Sequence, residues 1–264
     1  MHRSVCRSGS AIVPMFLLEF QELLVVIATL FTGSTILAVI GFGFGISTSP
    51  ILLMVLDPQT VVVTISSVTI ILFSLITIRK RRHLSVGDMY PWSLGGVLGA
   101  PLGVFILNTG SAPILRISIT ILIMLLTIAT VFNYRIVMPE WRILSIVMGF
   151  VVGALTTSLG IGAPLIILIL ISRNWNSEKI RACMSGYNVL VMLVGIFGYI
   201  LTDLYTTEII TLIVVGVIPA IIGYSLATYM IQNMNERLFH FAVFIFIMTS
   251  SSVVLGKEMT RIFL

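Results

Sequence analysis

Charge is what this sequence has least of. Only 9% of its 264 residues are Asp, Glu, Lys or Arg, while 58% are hydrophobic. A water-soluble domain carries roughly 25% charged residues, so this chain cannot clothe a surface in water and its solvent must be lipid. Cysteine is scarce as well. Cys6 and Cys183 stand far apart in different contexts, which argues against a disulfide framework and a thiolate zinc site. His2, His83 and His240 do not cluster, so neither a metal nor any other cofactor is expected. No Gly-x4-Gly-Lys-Ser/Thr loop is present, which removes P-loop nucleotide chemistry. Once about eight spans of ~20 residues are allotted, no length remains for a soluble catalytic domain. The net charge of +5 therefore reports orientation and contact with anionic lipid, not nucleic acid.

What is there is a series of long apolar runs bounded by charges. Residues 1–14 form a basic, polar extension, and the run after it reads as an uncleaved first helix. Met15 is an alternative start. Spans are expected at Glu22–Ile40, Thr60–Ile78, Met89–Leu107, Ile114–Phe132, Trp141–Leu159, Ile180–Leu201, Ile209–Tyr229 and Leu238–Leu255. Two shorter apolar stretches, Ile46–Leu56 and Leu165–Ser172, are too short to cross alone and read as half-helices or re-entrant segments. Whether they dip in and return or simply loop, the next span is expected to start on the side where the last one ended, so the termini and the loops after the second, fourth and sixth spans share one face. That face then holds ten Lys and Arg against five on the other, so both termini are expected in the cytoplasm of a multi-pass cell-membrane protein.

The chain also resembles itself. Gly41-Phe-Gly43-Phe-Gly45-Ile-Ser47-Thr48-Ser49-Pro50 and Gly160-Ile-Gly162-Ala163-Pro164 each follow a long span and precede a short apolar stretch. A shift of 119 residues lays Gly160 on Gly41, Gly162 on Gly43 and Ser185 on Ser66. The expected fold is thus an all-α polytopic membrane bundle of two four-helix repeats, residues 15–135 and 136–264, with glycine-broken helices. An even number of spans per half predicts repeats that enter the membrane in the same sense.

Paired interruptions in two halves point to a transporter site. Unwound backbone survives in a membrane only where protein or a wet cavity covers it. Half-helices starting near Ile46 and Ala163 would aim free N–H groups and positive dipole ends inward, which suits an anion. The candidate site comprises Gly41, Gly43, Gly45, Ser47, Thr48, Pro50, Thr64, Ser66, Gly160, Gly162, Ala163, Pro164, Ser185 and Asn188, with Arg181 as a cationic fork for an oxyanion. The competing reading is that the glycines permit close helix packing, as in Gly95-x3-Gly99-x3-Gly103 and Gly149-x3-Gly153, with the serines as interhelical contacts and Arg181 as an interfacial anchor. All ten acidic residues lie at or near span ends, so a mid-span carboxylate relay is not supported.

At the two glycine motifs the chain resembles the sulfite exporter TauE/SafE family. Gly41 to Pro50 is similar to the first copy of the family's glycine-rich motif, with Phe44 where glycine is common, and Gly160 to Pro164 to the second. Arg181-Ala182, followed by Ser185, resembles the stretch after it. The resemblance covers residues 20–256 and implies a transporter of a small anion such as sulfite or an organosulfonate, with the lipid bilayer as its other partner. It fixes neither the anion nor the oligomeric state. The alternatives are an intramembrane enzyme, for which Ser158 and His240 are the available pair but no Gly-x-Ser-Gly pattern exists, and a non-transporting membrane scaffold.

Overall fold

The computed structural model describes residues 12–131, 141–170, 175–230 and 236–263. Ten α-helices follow one another: α1 Ile12–Ile40, α2 Phe44–Leu52, α3 Pro58–Arg79, α4 Val86–Thr109, α5 Ala112–Val131, α6 Arg142–Leu159, α7 Ala163–Leu170, α8 Ser177–Leu201, α9 Thr207–Met230 and α10 Glu236–Phe263. Among the described residues, eight helices are long and apolar enough to cross a membrane, all but the short α2 and α7. In hydrocarbon the helix is the form that satisfies its own backbone, so each apolar run becomes one. The ends follow local chemistry. Pro58 opens α3, where its missing N–H costs nothing. The Asn176 side chain accepts from the N–H groups of Glu178 and Lys179 at 2.7 and 3.1 Å, which caps α8.

The directions of the helices follow from which residues meet. Lys80 after α3 pairs with Glu178 at the start of α8, and Lys179 pairs with Asp88 at the start of α4 at 2.7 Å. These groups mark one face, here called the basic face. At the opposite face Arg116, near the start of α5, pairs with Glu258, near the end of α10, at 3.1 Å. Helices α4 and α6 run parallel in a seam of small residues. A Cβ on Gly95, Gly99 or Gly103 would overlap the backbone at Ile146, Phe150 or Ala154, and one on Gly149 or Gly153 would overlap Trp92 or Gly96. Close packing is therefore the role of these glycines, since helices in lipid associate through van der Waals contact along small residues. Helices α1 and α9 also run parallel, with Gly216 against Leu30 and Gly223 against Phe31 and Ser34.

Here the structure corrects the expected topology. Helix α2 folds back along α1, with Thr48 against Gly33 and Gly43 against Ile36. It then delivers Leu56 and Asp57 to Arg116, at the face where α1 began. The short helix thus reverses the chain, and α3 starts where α1 started. Each half has five alternating segments instead of four, so α6 runs against α1. A parallel α1 and α6, and a face shared by the start of α1, the end of α10 and the Arg79–His83 cluster, are both ruled out by this geometry. The start of α1 and the end of α10 lie together on the face opposite the basic one.

Candidate functional site

The two interruptions are built on left-handed glycines. Gly41 and Gly43 have φ of 88° and 99°, and Gly160 has φ of 72°. An L side chain is disfavoured in that region. Gly43 precedes the first turn of α2 and offers no capping side chain, so the N–H groups of Phe44, Gly45 and Ile46 have no partner within their helix. Gly160 closes α6 in the left-handed conformation, its N–H donating to the Thr156 carbonyl at 3.0 Å.

The interruptions meet. A Cβ on Gly45 would overlap the carbonyl oxygen of Gly160, so backbone rests on backbone at the middle of the bundle. Beside this contact lies a small cavity of about 20 Å³, room for one water-sized group. It is lined by Gly43 to Ile46 of the first interruption and Gly160 to Pro164 of the second, with Thr69 and Phe73 from α3, Thr156 from α6, and Asn188 and Met192 from α8. Among the described residues no ionisable side chain lines it. Helices α3 and α8 pack against each other, which brings Thr69 and Asn188 to one space.

Of the residues singled out from sequence, Gly43, Gly45, Gly160, Gly162, Ala163, Pro164 and Asn188 line this cavity. The others lie elsewhere. Ser47 and Thr48 turn back on their own helix, donating to the carbonyls of Gly43 and Phe44 at 2.8 and 2.6 Å. Ser185 donates to the Ala182 carbonyl at 2.9 Å. Thr64 and Ser66 are fully buried off the lining, and Pro50 is buried near the end of α2. Gly41 sits outside the cavity beneath Arg181, whose Nη2 donates to the Val39 carbonyl at 3.2 Å. Arg181 has no carboxylate within ion-pair distance among the described residues, and it stands on the basic-face side of the cavity, one turn inside the start of α8.

Thr69, Phe73, Thr156 and Met192 were missed by sequence reasoning. A signal existed for two pairs of positions, because the shift of 119 that pairs Ser66 with Ser185 also pairs Thr69 with Asn188 and Phe73 with Met192. Thr69 shares with Thr64 and Ser66 of the same helix a buried hydroxyl that makes no hydrogen bond, and of these three only Thr69 lines the cavity. Thr77, Thr120 and Thr127 each donate to the carbonyl four residues earlier. Thr69 is 5% exposed and its hydroxyl has no hydrogen-bond partner.

A helical bundle with eight helices long and apolar enough to cross a membrane is a polytopic membrane protein. The family model described as Sulfite exporter TauE/SafE matches residues 25–254, and the chain belongs to that family. No curated protein and no solved structure gives a match.

Proposed function

We propose that the protein moves a small anion, a sulfur oxyanion or an organosulfonate, across the cell membrane through the central cavity between the two interruptions. One observation carries this reading: the amino-terminal ends of α2 and α7 line one and the same cavity. Helix amino termini present free N–H groups and a positive dipole end, which suits an anion. Asn188 and Thr69 add neutral polar contacts, and Arg181 meets the anion first, on its way from the basic face.

The same reading takes the two halves, residues 15–135 and 136–264, as repeats of inverted topology. In support, α1 with α9 and α6 with α4 form corresponding parallel pairs, and α3 with α8 and α5 with α10 cross between the halves. The pairing of Thr69 with Asn188 and Phe73 with Met192 then puts the cavity on the axis that relates them, as expected of an alternating-access carrier. The basic face is cytoplasmic. Among the described residues Arg79, Lys80, Arg81, Arg82, Arg142, Lys179, Arg181 and Arg237 belong to segment ends toward it, against Arg116, Lys257 and Arg261 toward the other, and short cytoplasmic loops are the ones rich in Lys and Arg. Both termini therefore face outward.

The test is uptake of radiolabelled sulfite into proteoliposomes under an imposed gradient, beside Gly162→Leu, whose side chain would overlap Thr156. Saturable flux that the variant loses supports the reading. Absence of flux for sulfite and for small sulfonates alike overturns it.

A further inference from the structure

We propose that the cavity selects monoanions over dianions, so that sulfite is carried as hydrogen sulfite and sulfate is refused. The inference rests on the transport reading above and names the charge of its substrate.

The charge available to a bound anion is limited on every side. Among the described residues no Lys, Arg or His lines the cavity. What it offers is the positive end of α2, the positive end of α7, and neutral polar groups. Each helix end is equivalent to about half an elementary charge, so the two together match about one negative charge. The sum is an upper bound. Pro164 at the start of α7 has no N–H, and the Leu165 N–H is already given to the Gly162 carbonyl at 3.2 Å. The carboxyl end of α6 also reaches the lining at Gly160. Arg181 does not line the cavity and is held on the Val39 carbonyl.

The cost of entering rises faster than the charge. Removing an ion from water scales with the square of its charge, so a dianion loses about four times the solvation of a monoanion of the same size. A lining worth about one charge offsets that loss for one species only. The Thr69 hydroxyl is the independent sign that this space holds a ligand. Ser49, Thr64, Ser66, Ser93 and Ser251 also hold buried hydroxyls without a partner, but among them all only the Thr69 hydroxyl belongs to a residue lining the cavity, and a buried hydroxyl is normally satisfied. The Thr69 hydroxyl therefore serves as a donor to one acceptor oxygen of the anion. The cavity must widen as it loads, because an oxyanion is larger than a water.

Three labelled anions separate the possibilities in proteoliposomes at a series of pH values. Methanesulfonate is a monoanion throughout, sulfate a dianion throughout, and sulfite changes from one to the other near neutral pH. The expected result is methanesulfonate flux, sulfate flux lower by about tenfold or more, and a ratio of sulfite to methanesulfonate flux that rises as pH falls through sulfite's own titration. Taking the ratio removes any proton coupling common to both. Sulfate carried as fast as methanesulfonate, or a sulfite ratio that rises with pH, overturns monoanion selection while leaving anion transport standing. Flux of none of the three overturns both. Thr69→Val is expected to weaken methanesulfonate uptake by about tenfold, and Thr69→Ser to restore it. Equal flux in the Val and Ser variants would remove the hydroxyl from the account.

Discussion

The two interruptions have the same plan and different chemistry. The first spends two left-handed glycines, Gly41 and Gly43, and opens α2 with three N–H groups that have no partner within the helix. The second spends one, Gly160, and opens α7 with a proline in its first turn. Their surroundings differ more. Above Gly41 lies the Arg181 guanidinium, whereas the nearest atom to a Cβ on Gly160 belongs to Ile65, at 3.8 Å. At the register position of α3 that matches Arg181 stands Val62, fully buried. Similar backbone is thus set in unlike surroundings: a guanidinium stands over the first interruption, and aliphatic side chains stand at the matching places of the second.

That comparison can be broken in several ways. The largest effect is expected from Gly45→Val, which drives a side chain into the Gly160 carbonyl and pushes the interruptions apart. Overpacking of this kind costs about 1–3 kcal/mol, and flux should fall to background while a lowered thermal midpoint in detergent registers the strain. Next comes the pair Gly41→Ala and Gly160→Ala. Both force alanine into the left-handed region at a cost of about 1–2 kcal/mol. Gly41→Ala should be the worse, because its Cβ would stand 2.8 Å from Arg181 Nε; equal losses in midpoint would mean the arginine yields freely. Arg181→Ala should raise the half-saturating concentration for an anion offered at the basic face by about tenfold, one charge-assisted hydrogen bond. The opposite face should be unaffected, as read in vesicles of defined orientation. The smallest effect belongs to Lys80→Ala. Its pair with Glu178 is part-exposed, 28% and 44%, so less than about 1 kcal/mol of stability should be lost.

Much of the fold was legible because lipid leaves few options. The apolar runs Thr60–Ile78 and Ile209–Tyr229 lie within α3 and α9, missing their ends by one or two residues. The short stretches emerge as α2 and α7, starting two residues earlier than the first apolar residue of each suggests. Hydropathy reports depth but not direction, so the return of α2 along α1 was invisible. That reversal moved the start of α1 to the other face and set α6 against α1, and the matching return through α7 moved the end of α10. The lining of the candidate cavity was legible where backbone makes it, at Gly43, Gly45, Gly160 and Gly162. It was not legible where side chains make it. Ser47 and Thr48 are polar and adjacent to the motif, yet their hydroxyls bond to their own helix. Thr69 lies 24 residues beyond Gly45 and reaches the cavity only because α3 packs on α8 there.

The central claim is that the anion passes between the interruptions, against Thr69. It is tested most directly by Thr69→Cys in a chain that also carries Cys6→Ser and Cys183→Ser, treated with a small anionic thiosulfonate reagent during methanesulfonate flux. The account predicts that the reagent labels the introduced thiol and stops transport, and that excess methanesulfonate slows the labelling. Labelling that leaves flux intact, or that proceeds at the same rate with and without the anion, would contradict it.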